Sequence, residues 1–356
     1  MPAPRKNQLI GIDIGSHSIK IAEIEDSKKG MILRNFGMIG LPEKAVVEGS
    51  IKEIEIVSAA LKNLLKNLKI KSKDVATSIS GYSVIVKKIT IPQKGEKDLE
   101  ESIQSESEQY IPFDINDVNL DFQILPSEEG ETGEKQELMD VLLVAAKKDI
   151  VEEYISLLHL TELNPVVLDI DPFALQNAFE ISSHEQSGCH ALVHIGAQQL
   201  TINVIKDGVS IFTRDSSYGG AQITSEIQKR LDISYQEAER VKLGARPLEI
   251  EQRPAVEEIF SLTVAKWAQE IKRALDFVAT TFTDSRVETV ILSGGSSLLP
   301  GLSKYIGMET GLKVEMLNPF ANLEIKERLF DTGYLKYAAP MAVIAIGLAL
   351  RSIGDR

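Results

Sequence analysis

Apolar residues in this chain fall into short runs whose period changes along its length, and the period identifies the element. Two runs share one design. Residues 10–24 read as an apolar strand, a polar turn of Gly15, Ser16, His17 and Ser18, and a second apolar strand. The same order returns at residues 192–204 around Gly196, Ala197, Gln198 and Gln199, which aligns His194 with Asp13. Each predicts a β-hairpin whose loop exposes backbone N–H groups. Two such loops facing each other can hold a phosphate chain from both sides, which predicts a two-lobed protein with its site in the cleft.

Ile54, Val57, Leu61, Leu64, Leu65 and Leu68 recur at helical spacing, and residues 75–91 are strand-like with a turn around Gly81. The strongly acidic residues 96–109 predict a solvated helix, ended by Ile111-Pro112-Phe113. Strands follow at 118–125 and 141–146, joined by a polar stretch at 126–137 that reads as an exposed hairpin connection. An amphipathic helix is predicted at 150–160. This mixture, residues 87–163, reads as an α+β unit inserted in the first lobe.

In the second half, Lys206-Asp207-Gly208 is a hairpin signature between strands at 202–205 and 209–213. Helices are predicted at 221–231, 235–243 and 259–279, the last with Trp267 as a core anchor. A strand at 287–292 runs into Ser293-Gly294-Gly295-Ser296-Ser297, where glycine permits close approach of a ligand or a tight turn. The apolar run 341–350 reads as a buried closing helix with Pro340 in its first turn. It is about half as long as the ~20 residues that a membrane span needs, so direct membrane insertion is not expected.

The chain has 356 residues, 43% of them hydrophobic and 26% charged, which fits a soluble globular protein of two or more domains. A formal net charge of -13 argues against a nucleic-acid partner. The single cysteine, Cys189, excludes an internal disulfide framework. The first eight residues are polar and Asp13 interrupts the run that follows, so a signal peptide is not expected. His17, His159, His184, His190 and His194 do not group into a metal-ligand pattern.

With these motifs in order, the chain resembles the actin-like ATPase superfamily, and within it the FtsA-like PilM family of type IV pilus assembly proteins. The superfamily elements are the loop Asp13 to Lys20, the loop His194 to Thr201, and the segment Ile291 to Leu302. Those closer to PilM are Glu108-Gln109-Tyr110-Ile111-Pro112-Phe113 and Asp169 to Asn177. The resemblance implies an α/β actin-like fold of two RNase H-like lobes around a nucleotide cleft, with an FtsA-type 1C (SHS2) subdomain inserted in the first. It places subdomain 1A at 1–86, 164–189 and 336–356, 1C at 87–163, 2A at 190–219 and 258–335, and 2B at 220–257.

The resemblance also implies ATP and Mg²⁺ as ligands. Asp13 would hold the metal, which needs hard oxygen donors. Gly15, Ser16, His17, Ser18 and Lys20 would meet the β- and γ-phosphates, with Gly196 and Ala197 opposite. Gly219, Gly220, Glu239, Lys242, Gly294, Gly295 and Ser296 would border the adenosine and α-phosphate. On spacing alone, Glu239 and Lys242 fit a surface ion pair equally well, and Asp13 fits a turn cap.

One departure touches the chemistry. The family's second loop opens with aspartate, whereas His194 stands there in this chain. The remaining acid near the expected cleft is Asp171, and these two are the candidate catalytic residues. A neutral histidine removes a fixed negative charge and weakens a Mg²⁺ site, so the implied activity is ATP binding with weak or absent hydrolysis. An active ATPase and a small-molecule kinase are the alternatives. The implied partner is the N-terminal cytoplasmic peptide of PilN within the pilus inner-membrane assembly complex, and self-association is compatible with the fold. Tyr110, Ile111 and Phe113 would line the peptide groove, or else pack the acidic helix onto its sheet. Such docking implies a cytoplasmic protein recruited to the inner face of the membrane.

Overall fold

The computed structural model describes residues 9–28, 30–125, 138–183, 187–282, 284–326 and 328–354. The polar stretch 126–137 and His184 lie outside them. The chain begins with a meander of β1 (Ile10–Ile14), β2 (Ser18–Ser27) and β3 (Gly30–Gly40), then the short pair β4 (Val46–Val47) and β5 (Ser50–Ile51), α1 (Ile54–Leu68) and β6 (Asp74–Ile79). Next come β7 (Val84–Pro92), α2 (Glu96–Ser107), β8 (Val118–Ile124), β9 (Leu138–Lys147) and α3 (Lys148–Leu160), and then β10 (Asn164–Ile170) and α4 (Asp171–Ser182). The second half holds β11 (Cys189–Ile195), β12 (Leu200–Lys206), β13 (Val209–Ser216), α5 (Gly220–Leu231), α6 (Tyr235–Lys242) and α7 (Arg253–Thr281). It closes with β14 (Thr289–Ser293), α8 (Leu302–Thr310), β15 (Lys313–Met316) and α9 (Thr332–Ala349).

Two five-stranded sheets share one topology. The first has the order β10-β6-β1-β2-β3 and the second β13-β12-β11-β14-β15. In both, an antiparallel meander is extended by strands parallel to its first member. The hairpins match residue for residue, since Asp13 pairs with Lys20 as His194 pairs with Thr201. Period-two alternation sorts the strands between layers. Ile10, Ile12 and Ile14 face α1 and α3, while Ala191, Val193 and Ile195 face α5 and α7. The opposite faces, with Ala22, Ile24, Leu192 and Ile205, close on α4 and α9 between the sheets. The result is five layers, helix, sheet, helix, sheet, helix.

Two expectations change here. Pro340 sits inside α9, not in its first turn, because the helix already starts at Thr332 under an Asp331 cap. By length and composition α9 would suffice to span a bilayer, yet 67% of it is buried between the lobes. The acidic helix α2 is not solvated all round, because Leu99 and Ile103, one turn apart, seat it on the three-stranded sheet β7-β9-β8. Residues 75–91 hold two strands with a turn at Gly81, as expected. β6 joins the first large sheet and β7 the three-stranded one, with Gly81 at φ 86° between them.

Candidate nucleotide cleft

The first turn closes when Gly15 N–H donates to the Ser18 carbonyl at 3.2 Å. Neither Ser16 N–H nor His17 N–H donates to an acceptor among the described residues, which leaves two adjacent donors at the tip. Behind them Asp13, 7% exposed, pairs with Lys20 Nζ at 3.0 Å. The turn reaches the second lobe. Burial lowers the His17 pKa, and its ring feels Glu239, then Lys242, both on α6.

The second turn closes in the same way, with Gly196 N–H donating to the Gln199 carbonyl at 2.8 Å. It is tied down on two sides. The Gly196 carbonyl accepts from Gly220 N–H at 3.1 Å and from the Ser296 hydroxyl at 2.7 Å, and the Ala197 carbonyl accepts from Ala221 N–H at 2.7 Å. Such close packing requires glycine. A Cβ on Gly294, whose φ is +88°, would lie 2.3 Å from the Ile195 carbonyl oxygen, and one on Gly219 would lie 2.3 Å from that of Ala197. Gly294 N–H donates across to the Pro340 carbonyl of α9 at 2.7 Å, and Gly295 rests on Met341.

Glu239 and Lys242 do not form an outer-surface pair. Their side chains are 15% and 11% exposed, meet at 2.8 Å, and sit over Gly220, whose carbonyl accepts from Lys242 Nζ at 3.3 Å. The Thr224 hydroxyl donates to Glu239 and fixes the carboxylate from the other side.

At the floor of the cleft three carboxylates approach one another. Asp171, the first residue of α4, accepts from the Ser78 hydroxyl at 2.6 Å; burial, reinforced by the charges of Asp13 and Asp215, pushes it up to about 7. Asp215 went unrecognised in the sequence. It is the penultimate residue of β13, accepts from the Thr201 hydroxyl at 2.6 Å and from Gly81 N–H at 3.0 Å, and burial raises its pKa against those bonds. The available signal was an acid at the end of an apolar strand, four residues before Gly219-Gly220. His194 is half-buried, its Nδ1 3.0 Å from the Ser293 hydroxyl, and loss of solvent around the ring lowers it to about 4. At neutral pH it is uncharged, so the second loop carries no charge where the first carries a carboxylate.

Tyr110, Ile111 and Phe113 lie apart from the cleft. Ile111, 6% exposed, belongs to the core under α2 and packs that helix, whereas Tyr110 and Phe113 are half-buried. Lysines cover both rings, with Lys147 Nζ 4.5 Å from the Phe113 centroid and Lys87 Nζ 5.7 Å from that of Tyr110.

Residues 11–353 match the family model of the type IV pilus assembly protein PilM. The chain belongs to that family. A solved PilM–PilN type IV pilus biogenesis complex matches 99% of this PilM-family chain and 100% of its own, at 26% identity and a TM-score of 0.86. The cell division protein FtsA of Streptococcus pneumoniae is 22% identical over 88% of this chain and 76% of its own length. MreB 5 of Spiroplasma citri bound to AMPPNP matches 97% of this chain and 95% of its own, at 12% identity and a TM-score of 0.53. The fold is therefore that of the actin-like ATPases, as the resemblance implied.

Proposed function

We propose that this PilM-family chain binds ATP with Mg²⁺ in the interlobe cleft and serves as a scaffold of the pilus inner-membrane assembly complex, holding the N-terminal peptide of PilN. The observation that carries the nucleotide reading is the pair of equivalent turns, one with its tip N–H groups unused and Asp13 and Lys20 at its base. That donor set suits phosphates: N–H groups for oxygen, an ammonium as a point charge, and a carboxylate for a phosphate-bound metal. Among the described residues no three His, Cys, Asp or Glu side chains form a ready metal cluster, so Mg²⁺ would depend on the nucleotide's own oxygens together with Asp13. Ser16, His17, Ser18 and Ala197 would meet the phosphates. Gly219, Gly220, Gly294, Gly295 and Ser296 give the close-packed wall that would border the nucleoside, with Glu239 and Lys242 beside it.

Hydrolysis would be slow. A neutral His194 neither strengthens the metal site nor adds the second negative charge that would orient an attacking water. Asp171, raised to about 7, is the group left to accept a proton. The nucleotide then acts mainly by holding the lobes together.

The solved relative is a complex with PilN, which supports the same partner here. We read the three-stranded sheet with α2 as the inserted 1C subdomain, with Tyr110 and Phe113 as its candidate contacts and Ile111 as packing; α3, which the sequence boundaries put in 1C, packs in the core of the first large sheet and goes with 1A. For the rest we keep the 1A, 2A and 2B division inferred from the sequence, moving the boundaries that would cut α7 and α9 to the helix starts at Arg253 and Thr332. Binding a membrane-anchored partner would place the protein at the inner face of the cytoplasmic membrane. Titration calorimetry with Mg·ATP tests the first half, and fluorescence polarisation with a PilN N-terminal peptide tests the second. Absence of either binding overturns that half.

A further inference from the structure

The side chains of the second turn do not point at its own lobe. Gln198 Oε1 accepts from Glu48 N–H at 3.0 Å, and Gln199 Oε1 accepts from the Ser80 hydroxyl at 3.1 Å. Two neighbours on the same lobe complete the contact. Asp215 accepts from Gly81 N–H at 3.0 Å, and the Ser217 hydroxyl donates to Glu48 at 2.9 Å. Four hydrogen bonds thus join the turn and the end of β13 to two small segments of the first lobe, at Glu48 and at Ser80-Gly81.

The second segment leads directly into the three-stranded unit, and the first is fastened to the helix that follows that unit. Gly81 precedes β7, and its carbonyl accepts from Val84 N–H, the first residue of that strand. The turn at Glu48 is fastened to α3, which follows β9: the Tyr154 hydroxyl donates to the Gly49 carbonyl at 3.0 Å, and Glu153 accepts from Ser50 and Ile51. The segments also pack on each other, since a Cβ on Gly49 would lie 2.9 Å from the Ser80 carbonyl oxygen. Between this contact and β7 a cleft of about 210 Å³, lined by Tyr82, Val86, Pro172 and Arg214 among others, leaves room for movement.

We propose that Gln198, Gln199 and Asp215 form a latch that links the nucleotide turn to the inserted unit, so that nucleotide occupancy and the position of that unit bias each other. The inference rests on the nucleotide reading above. Its physical basis is linkage: a ligand that favours the closed turn favours the latched segments, and whatever holds those segments raises affinity for the ligand by the same factor. On the nucleotide reading, main-chain N–H groups at the tip of the turn would face phosphate, while the Gln198 and Gln199 side chains face the other lobe. One short loop therefore serves both contacts.

Amide exchange of residues 80–86, read by mass spectrometry, tests the latch with AMPPNP and Mg²⁺ as the probe. In the protein without nucleotide, Asp215→Ala should speed exchange of this segment about tenfold, because Gly81 N–H loses its acceptor. AMPPNP should slow exchange in the wild type severalfold, and the double substitution Gln198→Ala/Gln199→Ala should remove that slowing while calorimetry still detects AMPPNP. Rapid exchange unaffected by Asp215→Ala, or equal slowing in the double variant, overturns the latch. If AMPPNP does not bind the wild type, the nucleotide reading and the linkage fall together; the Asp215→Ala arm then decides only whether the interlobe contact exists.

Discussion

Lys20 and Asp13 face each other across one rung of the first hairpin, and their side chains meet at 3.0 Å inside the cleft. Without ligand the pair neutralises itself. A Mg²⁺-bound triphosphate offers each partner an alternative, metal for the carboxylate and phosphate for the ammonium, so the pair is matched to a ligand of mixed charge. Asp13→Ala should weaken Mg·ATP binding at least tenfold, about 1.4 kcal/mol. Calorimetric titration of both proteins checks this, and equal affinity would remove Asp13 from the site.

His194 is the corresponding residue of the second hairpin. His194→Asp should raise phosphate release while shifting ATP affinity only a few fold, because orienting a water acts mainly in the transition state. The new carboxylate would stand near Asp13 without a cation of its own. Its melting temperature should therefore fall in the absence of ligand and recover with Mg·ATP, which a thermal melt would show. A wild type that turns over at about 1 per second would defeat the slow-hydrolysis reading.

Two groups in the cleft give opposing pH dependences. Asp171, raised to about 7, keeps its proton in the folded state after the unfolded chain has lost it, so its stabilising share is full below pH 4 and is lost as pH rises towards 7. His194, lowered to about 4, stays neutral when folded while the unfolded chain takes a proton, so its share is present above about 6.5 and is lost as pH falls. Between these limits the two slopes largely cancel. Asp171→Asn should make the protein more acid-sensitive than the wild type from pH 6.5 to 4, and His194→Gln should do the reverse. Urea unfolding at stepped pH reads both, and parallel profiles for all three proteins would exclude the effect.

In the three-stranded unit, neighbouring residues of one motif should behave differently. Ile111→Ala removes a core side chain and should cost roughly 2 to 4 kcal/mol of stability. Phe113→Ala removes a half-buried ring under Lys147 and should cost less than half as much. If the ring contacts the peptide, Phe113→Ala should still weaken PilN-peptide binding about tenfold, roughly 1.4 kcal/mol. Polarisation read beside a thermal melt separates the two effects, and undisturbed binding would remove Phe113 from the groove.

Both hairpins were legible in the sequence because alternation and a glycine-bearing turn are local signals, and because the second copy repeats the first. β3 was not legible. Its buried residues Ile32, Leu33, Phe36 and Gly37 fall in pairs four apart, as on a helix, because a bulge opposite Glu23 and Ile24 shifts the register. Pro340 misled because a proline at the head of an apolar run looks like a helix start, while the helix continues through it by packing against α4 and the first sheet. The wall of the cleft was legible from its glycines. Asp215, Gln198 and Gln199 were not, because their partners at Gly81, Glu48 and Ser80 are remote in sequence and such contacts leave no local pattern.

Helix α9 also sets an order of events at the ribosome. The central core that backs the first sheet is closed by residues from Leu335 to Ala349, although β1 and β2, which they cover, are made long before them. The inner face of the second sheet, with Leu192, Ile205 and Ile291, closes on the same helix. Both sheets are therefore made before the helix that covers their facing sides, and neither lobe completes its core alone in the way that domains usually fold as they are synthesised.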